Sequence, residues 1–199
     1  MNQSMVRWGI LSTARIGIQK VIPAMQEVAT ASVVAIASRS ASRAAKAAKQ
    51  FSIPQAFASY DQLLESDEID AVYIPLPNHL HVEWAVRGLQ AGKHILCEKP
   101  IGLDADDAQR LLETASQFPH LKVMEAFMYR HHPQWAKVRE LVCDGIVGDL
   151  RALQFNFCYC NTDARDIRNR VDAGGGGLMD IGCYPISVSR WLFASQPQR

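Results

Sequence analysis

Three side chains in this 199-residue sequence have the right types to move a proton at an alcohol or carbonyl oxygen. Lys99 stands in CEKP (97–100), directly after the apolar run HILC. Asp180 and Tyr184 stand in GGGGLMDIGCYP (174–185), four residues apart, so a helix would place them on one face. A phenol exchanges a proton with an alcohol or carbonyl oxygen. An ammonium hydrogen-bonds that oxygen and favours its deprotonated state. A carboxylate orients a partner or pairs with the lysine. Blander readings compete: most lysines lie in solvent, and a glycine run before an apolar helix also serves as a plain loop.

A second group of residues has the pattern of a phosphate cradle. In GILSTARIG (9–17), Ser12, Ala14 and Gly17 occupy the glycine positions of a G-x-G-x-x-G fingerprint. In that motif the first glycine makes a tight turn, the second admits the pyrophosphate, and the third lets helix pack on strand. Ala14 narrows the approach without closing it. Ser12 is expected to keep a negative φ and to offer its hydroxyl to a phosphate oxygen. The helix N-terminus supplies N–H groups and Arg15 adds charge. An ordinary strand–turn–helix remains an equal reading.

Downstream, SVVAIAS ends in Ser38-Arg39-Ser40, with no acid. Folds specific for NAD place Asp or Glu there, on the ribose 2′-hydroxyl, whereas serine and arginine suit a 2′-phosphate. NADP is therefore favoured over NAD, unless the two residues simply open the next helix in solvent. IPLPNHLH (74–81) makes a rigid turn at a strand's carboxyl end, where open α/β sheets bind ligands. Its His79 and His81 form an H-x-H pair. Capping and packing are favoured over metal binding, because no acidic cluster accompanies the pair.

The elements that must position these residues alternate. VRWGILS (6–12), SVVAIAS (32–38), QAFAS, DAVYIPL (70–76), HILCEKP (94–100) and LKVMEAF (121–127) read as strands. Between them, residues 15–28, ASRAAKAAKQF (41–51), YDQLLES, HLHVEWAVRGLQAG (79–92) and LDADDAQRLLETASQF (103–118) read as helices. Pro23 must kink or divide the first helix. Asp104 is the expected N-cap of the last, and Gly92 the expected C-cap of the fourth. Alternation of this kind predicts a doubly wound parallel sheet. The pattern then changes. HPQWAKVRELVCDG (132–145) predicts a helix, GDLRALQFNFCYC (148–160) a long one-faced antiparallel strand, and LMDIGCYPISVSRWLF (178–193) a mostly helical segment. That strand has no evident partner in the sequence. The expected domains are 1–127 for cofactor and 128–199 for the start of an α+β domain, whose sheet begins near Asp149 and is incomplete.

Composition excludes several classes. With 48% hydrophobic and 21% charged residues the chain is globular rather than disordered. A net charge of +1 argues against nucleic acid or an anionic membrane as partner. No apolar run reaches the ~20 residues of a membrane helix, and the N-terminus lacks a signal-peptide shape, so a cytoplasmic protein is expected. The five cysteines form neither a disulfide framework nor a C-x-x-C pair; Cys158 and Cys160 are expected to be reduced and partly buried on one strand face.

Taken in order, WGILSTARIG, VVAIASRS, VYIPLPNHLH, CEKP, EAFMYRHHPQ and GGGGLMDIGCYPI resemble the Gfo/Idh/MocA oxidoreductases, over nearly the whole chain. The resemblance implies an N-terminal Rossmann domain followed by an α+β domain with a mostly antiparallel sheet. It implies hydride transfer between NAD(P) and a hydroxyl-bearing carbon of a sugar, aldose or cyclic diol. Lys99 matches the active-site lysine of E-K-P, and Asp180 and Tyr184 match the D-x-x-x-H/Y positions. The tyrosine is similar to that of the dihydrodiol dehydrogenase and NADP-dependent xylose dehydrogenase branch. Tyr184 would then be the general acid/base, assisted by Lys99. Arg130 and Arg170 match arginines flanking the substrate pocket. The cofactor would meet Ser12, Thr13, Ala14, Arg15 and Ile16, then Ser38 and Arg39. It would next meet Pro75, Asn78 and His81, and lastly Glu98 and Lys99. Family chains run well past this C-terminus and commonly form homo-oligomers through the second sheet. The rival expectations are a regulatory relative that binds cofactor without turnover, an inactive fragment, and a metal hydrolase built on His79 and His81.

Overall fold

A computed structural model describes residues 5–198 of the chain. It divides into two compact units, Met1–Glu125 and Ala126–Arg199.

In the first unit, six strands form one sheet: β1 (Val6–Leu11), β2 (Ala31–Ala37), β3 (Gln55–Phe57), β4 (Ala71–Ile74), β5 (His94–Cys97) and β6 (Val123–Glu125). Their order is β3-β2-β1-β4-β5-β6 and every pairing is parallel. The order reverses between β1 and β4, which opens a crevice at the carboxyl edge of the sheet. Apolar runs form the central strands because both faces are covered. All four residues of β4, AVYI, are buried. One apolar layer gathers Leu11, Leu63, Val72, Ile74 and Leu89, and the other gathers Ile10, Ile22, Ile36 and Tyr73. Each such aliphatic side chain removed from water contributes about 1.5–3 kcal/mol.

The helix after β1 accommodates Pro23 through a change of pitch. A π-helical segment, Gly17–Val21, precedes α1 (Ile22–Gln26), so the proline lies in the first turn of α1. A proline there removes an N–H that a regular helix would need, and the wider turn absorbs the loss. The remaining helices of this unit are α2 (Ala41–Phe51), α3 (Tyr60–Leu64), α4 (His81–Gln90) and α5 (Ala105–Gln117). Asp104 caps α5, its carboxylate accepting the Asp107 N–H at 2.8 Å. Gly92 follows α4 with φ +74°, the left-handed stop that glycine adopts freely.

The second unit holds α6 (Pro133–Cys143) and α7 (Cys183–Phe193), with short 3-10 turns at Met128–His131, Ile167–Asn169 and Val171–Ala173. A π-helical segment, Leu178–Gly182, leads into α7. Its small core is Phe127, Tyr129, Val188 and Leu192. The strand expected over 148–160 is not formed; residues 150–160 are irregular. Leu153 and Phe155 still turn toward the core, whereas Phe157 and Tyr159 are exposed. The alternation holds only as far as Phe155; no described strand lies beside the segment to satisfy its backbone ladder, and an isolated strand is unstable. Cys158 and Cys160 are exposed rather than partly buried, for the same reason. Among the described residues, no helix is long and apolar enough to cross a membrane.

Candidate active site

The turn after β1 is built on a residue in a glycine-like conformation. Ser12 has φ +127°, contrary to the negative φ expected of it. A side chain there costs about 1–3 kcal/mol of strain, and the hydroxyl offsets it. Ser12 Oγ donates to the Pro75 carbonyl at 3.2 Å and accepts the Ala14 N–H at 3.1 Å. Its one hydrogen is thereby directed into the protein, not toward a phosphate. Serine replaces glycine here by stitching the β1 turn to the β4 turn.

Beyond it, the first helical bond runs from Ile18 N–H to the Ala14 carbonyl at 3.0 Å. The N–H groups of Arg15, Ile16 and Gly17 precede that bond and face the end of the helix, where an anion is favoured. Thr13 and Ala14 are half-buried and Arg15 is exposed. A Cβ added at Gly17 would lie 3.6 Å from Pro75 Cγ and 3.7 Å from Tyr73 Cε1, so helix and sheet approach to ordinary contact distance. This turn fits a pyrophosphate through backbone N–H groups, with Ala14 as the small residue beside them.

At the end of β2, Ser38 is buried, its hydroxyl accepts the Ser40 N–H at 3.2 Å, and its N–H donates to the Phe57 carbonyl at 3.1 Å. Arg39 is exposed. Burial pushes the Tyr60 phenol upward and the Arg39 cation beside it pulls the other way. A guanidinium and a serine turn at this edge fit a phosphate monoester.

The E-K-P turn is fastened on both sides. Tyr73 donates its hydroxyl to Glu98 Oε1 at 2.5 Å, and the Glu98 N–H reaches the Ile74 carbonyl at 3.1 Å. Burial first, and then the Glu98 charge, push the Tyr73 phenol far above its ordinary range, so it remains a donor. On the β6 side, Glu125 Oε1 accepts the Ile101 N–H at 2.8 Å. The Lys99–Pro100 peptide is cis. Lys99 itself is half-buried, as are Glu98 and Asn78.

His81 departs from its expected place against the cofactor. The ring is wholly buried, with Nδ1 2.7 Å from the Pro100 carbonyl and Nε2 2.8 Å from the Leu76 carbonyl. It joins the β4 turn to the E-K-P turn from within. His79 is exposed and His81 is not, so the H-x-H pair does not converge on one point. Pro75 is likewise buried and reaches the site through its carbonyl.

In the second unit, Asp180 lies in the π-helical segment and Tyr184 in the first turn of α7. Tyr184 is half-buried against Phe127, Tyr129 and Phe157, at ring separations of 5.4, 6.2 and 6.2 Å. The aromatic wall fixes the phenol's ring plane. Asp180 accepts the Tyr159 hydroxyl on Oδ2 and Arg168 Nε on Oδ1, the latter at 3.3 Å. Arg170, the arginine expected to flank a substrate, is exposed and forks onto the Asp172 carboxylate instead. Arg130 is exposed in the 3-10 turn Met128–His131. The sequence did not single out Arg168 or Tyr159; a cation 6 residues and a phenol 15 residues before a glycine run carry no local signal.

The glycine run folds back on its own approach. Gly175 and Gly176 donate N–H bonds, both at 2.8 Å, to the carbonyls of Arg170 and Arg168. A Cβ at Gly175 would lie 2.6 Å from the Arg168 oxygen and 2.7 Å from the Arg170 oxygen. Only glycine fits there.

Two family matches cover most of the chain. The Gfo/Idh/MocA oxidoreductase family with NAD-binding Rossmann fold matches residues 6–127, and the Gfo/Idh/MocA C-terminal domain matches residues 135–199. An uncharacterized oxidoreductase of Rhizobium meliloti, ORF334, is 47% identical over 195 residues, which is 98% of this chain and 58% of that protein. D-xylose 1-dehydrogenase (NADP(+)) 2 of Haloferax volcanii is 44% identical over 198 residues, 96% of this chain and 58% of the relative. Among solved structures, KijD10, a 3-ketoreductase from Actinomadura kijaniata in complex with NADP and TDP-benzene, superposes with a TM-score of 0.88. It shares 39% identity over 95% of this chain and 57% of its own. The chain therefore spans less than three fifths of the length of these relatives. Fold, turn geometry and sequence agree that the chain belongs to the Gfo/Idh/MocA family of oxidoreductases.

Proposed function

We propose that this chain carries the cofactor site and the proton-transfer residues of an NADP-preferring dehydrogenase or reductase. Its substrate is a CH–OH or carbonyl carbon of a sugar, aldose or cyclic diol. One observation carries the reading: the β1 turn, the Ser38-Arg39 end of β2 and the E-K-P turn all leave the carboxyl edge of one parallel sheet. Ser12–Pro75 and His81 tie the β1, β4 and β5 turns together. The NADP of the xylose dehydrogenase and of the crystallised ketoreductase supports the choice of cofactor.

Bound NADP supplies the hydride acceptor or donor. The N–H groups at Arg15 and Ile16 would hold its pyrophosphate and Ser38-Arg39 its 2′-phosphate, and Thr13, Asn78 and Glu98 would be further contacts. Lys99 hydrogen-bonds the substrate oxygen and favours its deprotonated state. Tyr184 takes the proton in oxidation and returns it in reduction. Asp180 supplies a fixed carboxylate one helical turn before Tyr184. Arg130 stays a candidate for the substrate; Arg170 must first release Asp172. A cytoplasmic setting belongs to the same reading. So does a homo-oligomer.

Fluorescence titration with NADPH and NADH, followed by a turnover screen on aldoses and diols, tests the reading. NADPH should bind more tightly than NADH. Lys99→Ala and Tyr184→Phe should each lose most turnover while still binding NADPH. Near-normal turnover in either variant removes that residue's role. Binding without turnover across the panel would instead indicate a cofactor-sensing relative.

A further inference from the structure

Asp180 is gripped at both carboxylate oxygens by residues from two other segments. The Tyr159 hydroxyl donates to Oδ2 from the irregular stretch 150–160. Arg168 Nε donates to Oδ1 at 3.3 Å from the 3-10 turn Ile167–Asn169. Arg168 is fixed from its other side: NH1 meets Asp166 Oδ1 at 3.3 Å, and its backbone N–H donates to the same oxygen at 3.0 Å. Its carbonyl takes the Gly176 N–H, which closes the glycine run onto the turn. Asp180 is accordingly sheltered, at 14% side-chain exposure against 46% for Arg168. A carboxylate has a broad, two-fold terminal torsion and swings unless its oxygens are bonded. Charge-assisted donors on both oxygens remove that freedom.

We propose that Arg168 and Tyr159 are the positioning residues of Asp180, locking its carboxylate one helical turn from Tyr184 so that the phenol works beside a fixed, partly offset charge. This rests on the reading above, in which Asp180 and Tyr184 serve proton transfer. Arg170 has no part in the clamp, because its guanidinium is engaged by Asp172.

Tyr159 is a built-in reporter. Its bond to Asp180 holds its phenol above the ordinary range, and the Arg168 cation opposes the rise. Ultraviolet titration of the protein, with Tyr159→Phe to assign the signal, should show a raised phenol. The midpoint should fall toward the ordinary value in Asp180→Asn, rise further in Arg168→Gln, and stay put in Arg170→Gln. A midpoint indifferent to Asp180→Asn overturns the clamp.

Turnover with the best substrate of the screen gives the second arm. Arg168→Gln should lower kcat roughly tenfold or more, in the range of directly coupled pairs, with KM for NADPH unchanged. Arg168→Lys should recover part of the loss. In an Asp180→Asn background the same change should cost less than about twofold. Losses that multiply independently in the double variant overturn the proposal. If Lys99→Ala and Tyr184→Phe keep their turnover, the catalytic reading fails, and the phenol titration still decides whether the clamp exists.

Discussion

Ser12 and Pro75 are joined by a hydrogen bond of 3.2 Å from the serine hydroxyl to the proline carbonyl, across the point where the strand order of the sheet reverses. The same hydroxyl accepts the Ala14 N–H, so one side chain shapes the β1 turn and anchors it to the β4 turn. The loss of a fingerprint glycine is thus compensated by a side chain that closes the turn from inside.

Ser12→Ala should be worse than Ser12→Gly. The alanine keeps the φ of +127° and its strain, loses the bond to Pro75 and leaves the Ala14 N–H without the hydroxyl. A cost of about 1–3 kcal/mol is expected. Glycine loses the same bonds but relieves the strain. Urea unfolding of the two variants checks the order; equal stabilities would show that the turn is held by other means.

Ala14 stands beside the N–H groups assigned to the pyrophosphate. Ala14→Leu should weaken NADPH binding at least tenfold, about 1.4 kcal/mol, while thermal unfolding moves little, because residue 14 is only half-buried. Equal losses of binding and stability would mean that the side chain is a packing position.

His81 makes the first unit sensitive to acid. Burial lowers its pKa, against the pull of the Pro100 and Leu76 carbonyls and the Glu98 charge. The stability this ring contributes is complete above its unfolded value of about 6.5. As pH falls from there, the unfolded chain takes up a proton that the folded ring resists, and stability declines until the folded ring is itself protonated. His81→Ala should flatten that decline. It should also cost about 2–5 kcal/mol at neutral pH, since the carbonyl that receives the neutral ring's one N–H loses its donor and the wholly buried ring leaves a cavity. Tm measured from pH 8 to 5 for both proteins is the check.

Within the glycine run, position decides tolerance. Gly175→Ala drives a Cβ into backbone oxygens that cannot swing aside, and should destabilise the second unit by more than about 2 kcal/mol. Gly177→Ala meets nothing within 4 Å and should change stability by under about 0.5 kcal/mol. Denaturation followed through Trp135 and Trp191 fluorescence compares them.

Most of the first unit could be read from the chain because its signals are local. Apolar runs such as SVVAIAS, the Ala- and Lys-rich 41–51 segment, Asp104 before its helix and Gly92 after another each specify an element within a few residues. The lysine of E-K-P and the Asp180–Tyr184 spacing were legible for the same reason: residue type and interval are properties of sequence. The one-faced pattern of 148–160 was legible too, yet a strand needs a neighbour for its backbone, and periodicity cannot provide one.

Sequence by itself determined the alternation of elements and the family, and it supplied the residues proposed to move a proton. Only the tertiary structure decided which partners Ser12, His81 and Asp180 meet. It gave Ser12 a positive φ and turned its hydroxyl to Pro75. It buried His81 between two carbonyls, and it put Arg168 rather than Arg170 on Asp180. The physical reason is common to all three. Hydrogen bonds and ion pairs depend on distances of about 3 Å between groups, and separations such as the 63 residues between Ser12 and Pro75 are closed only by the packed sheet.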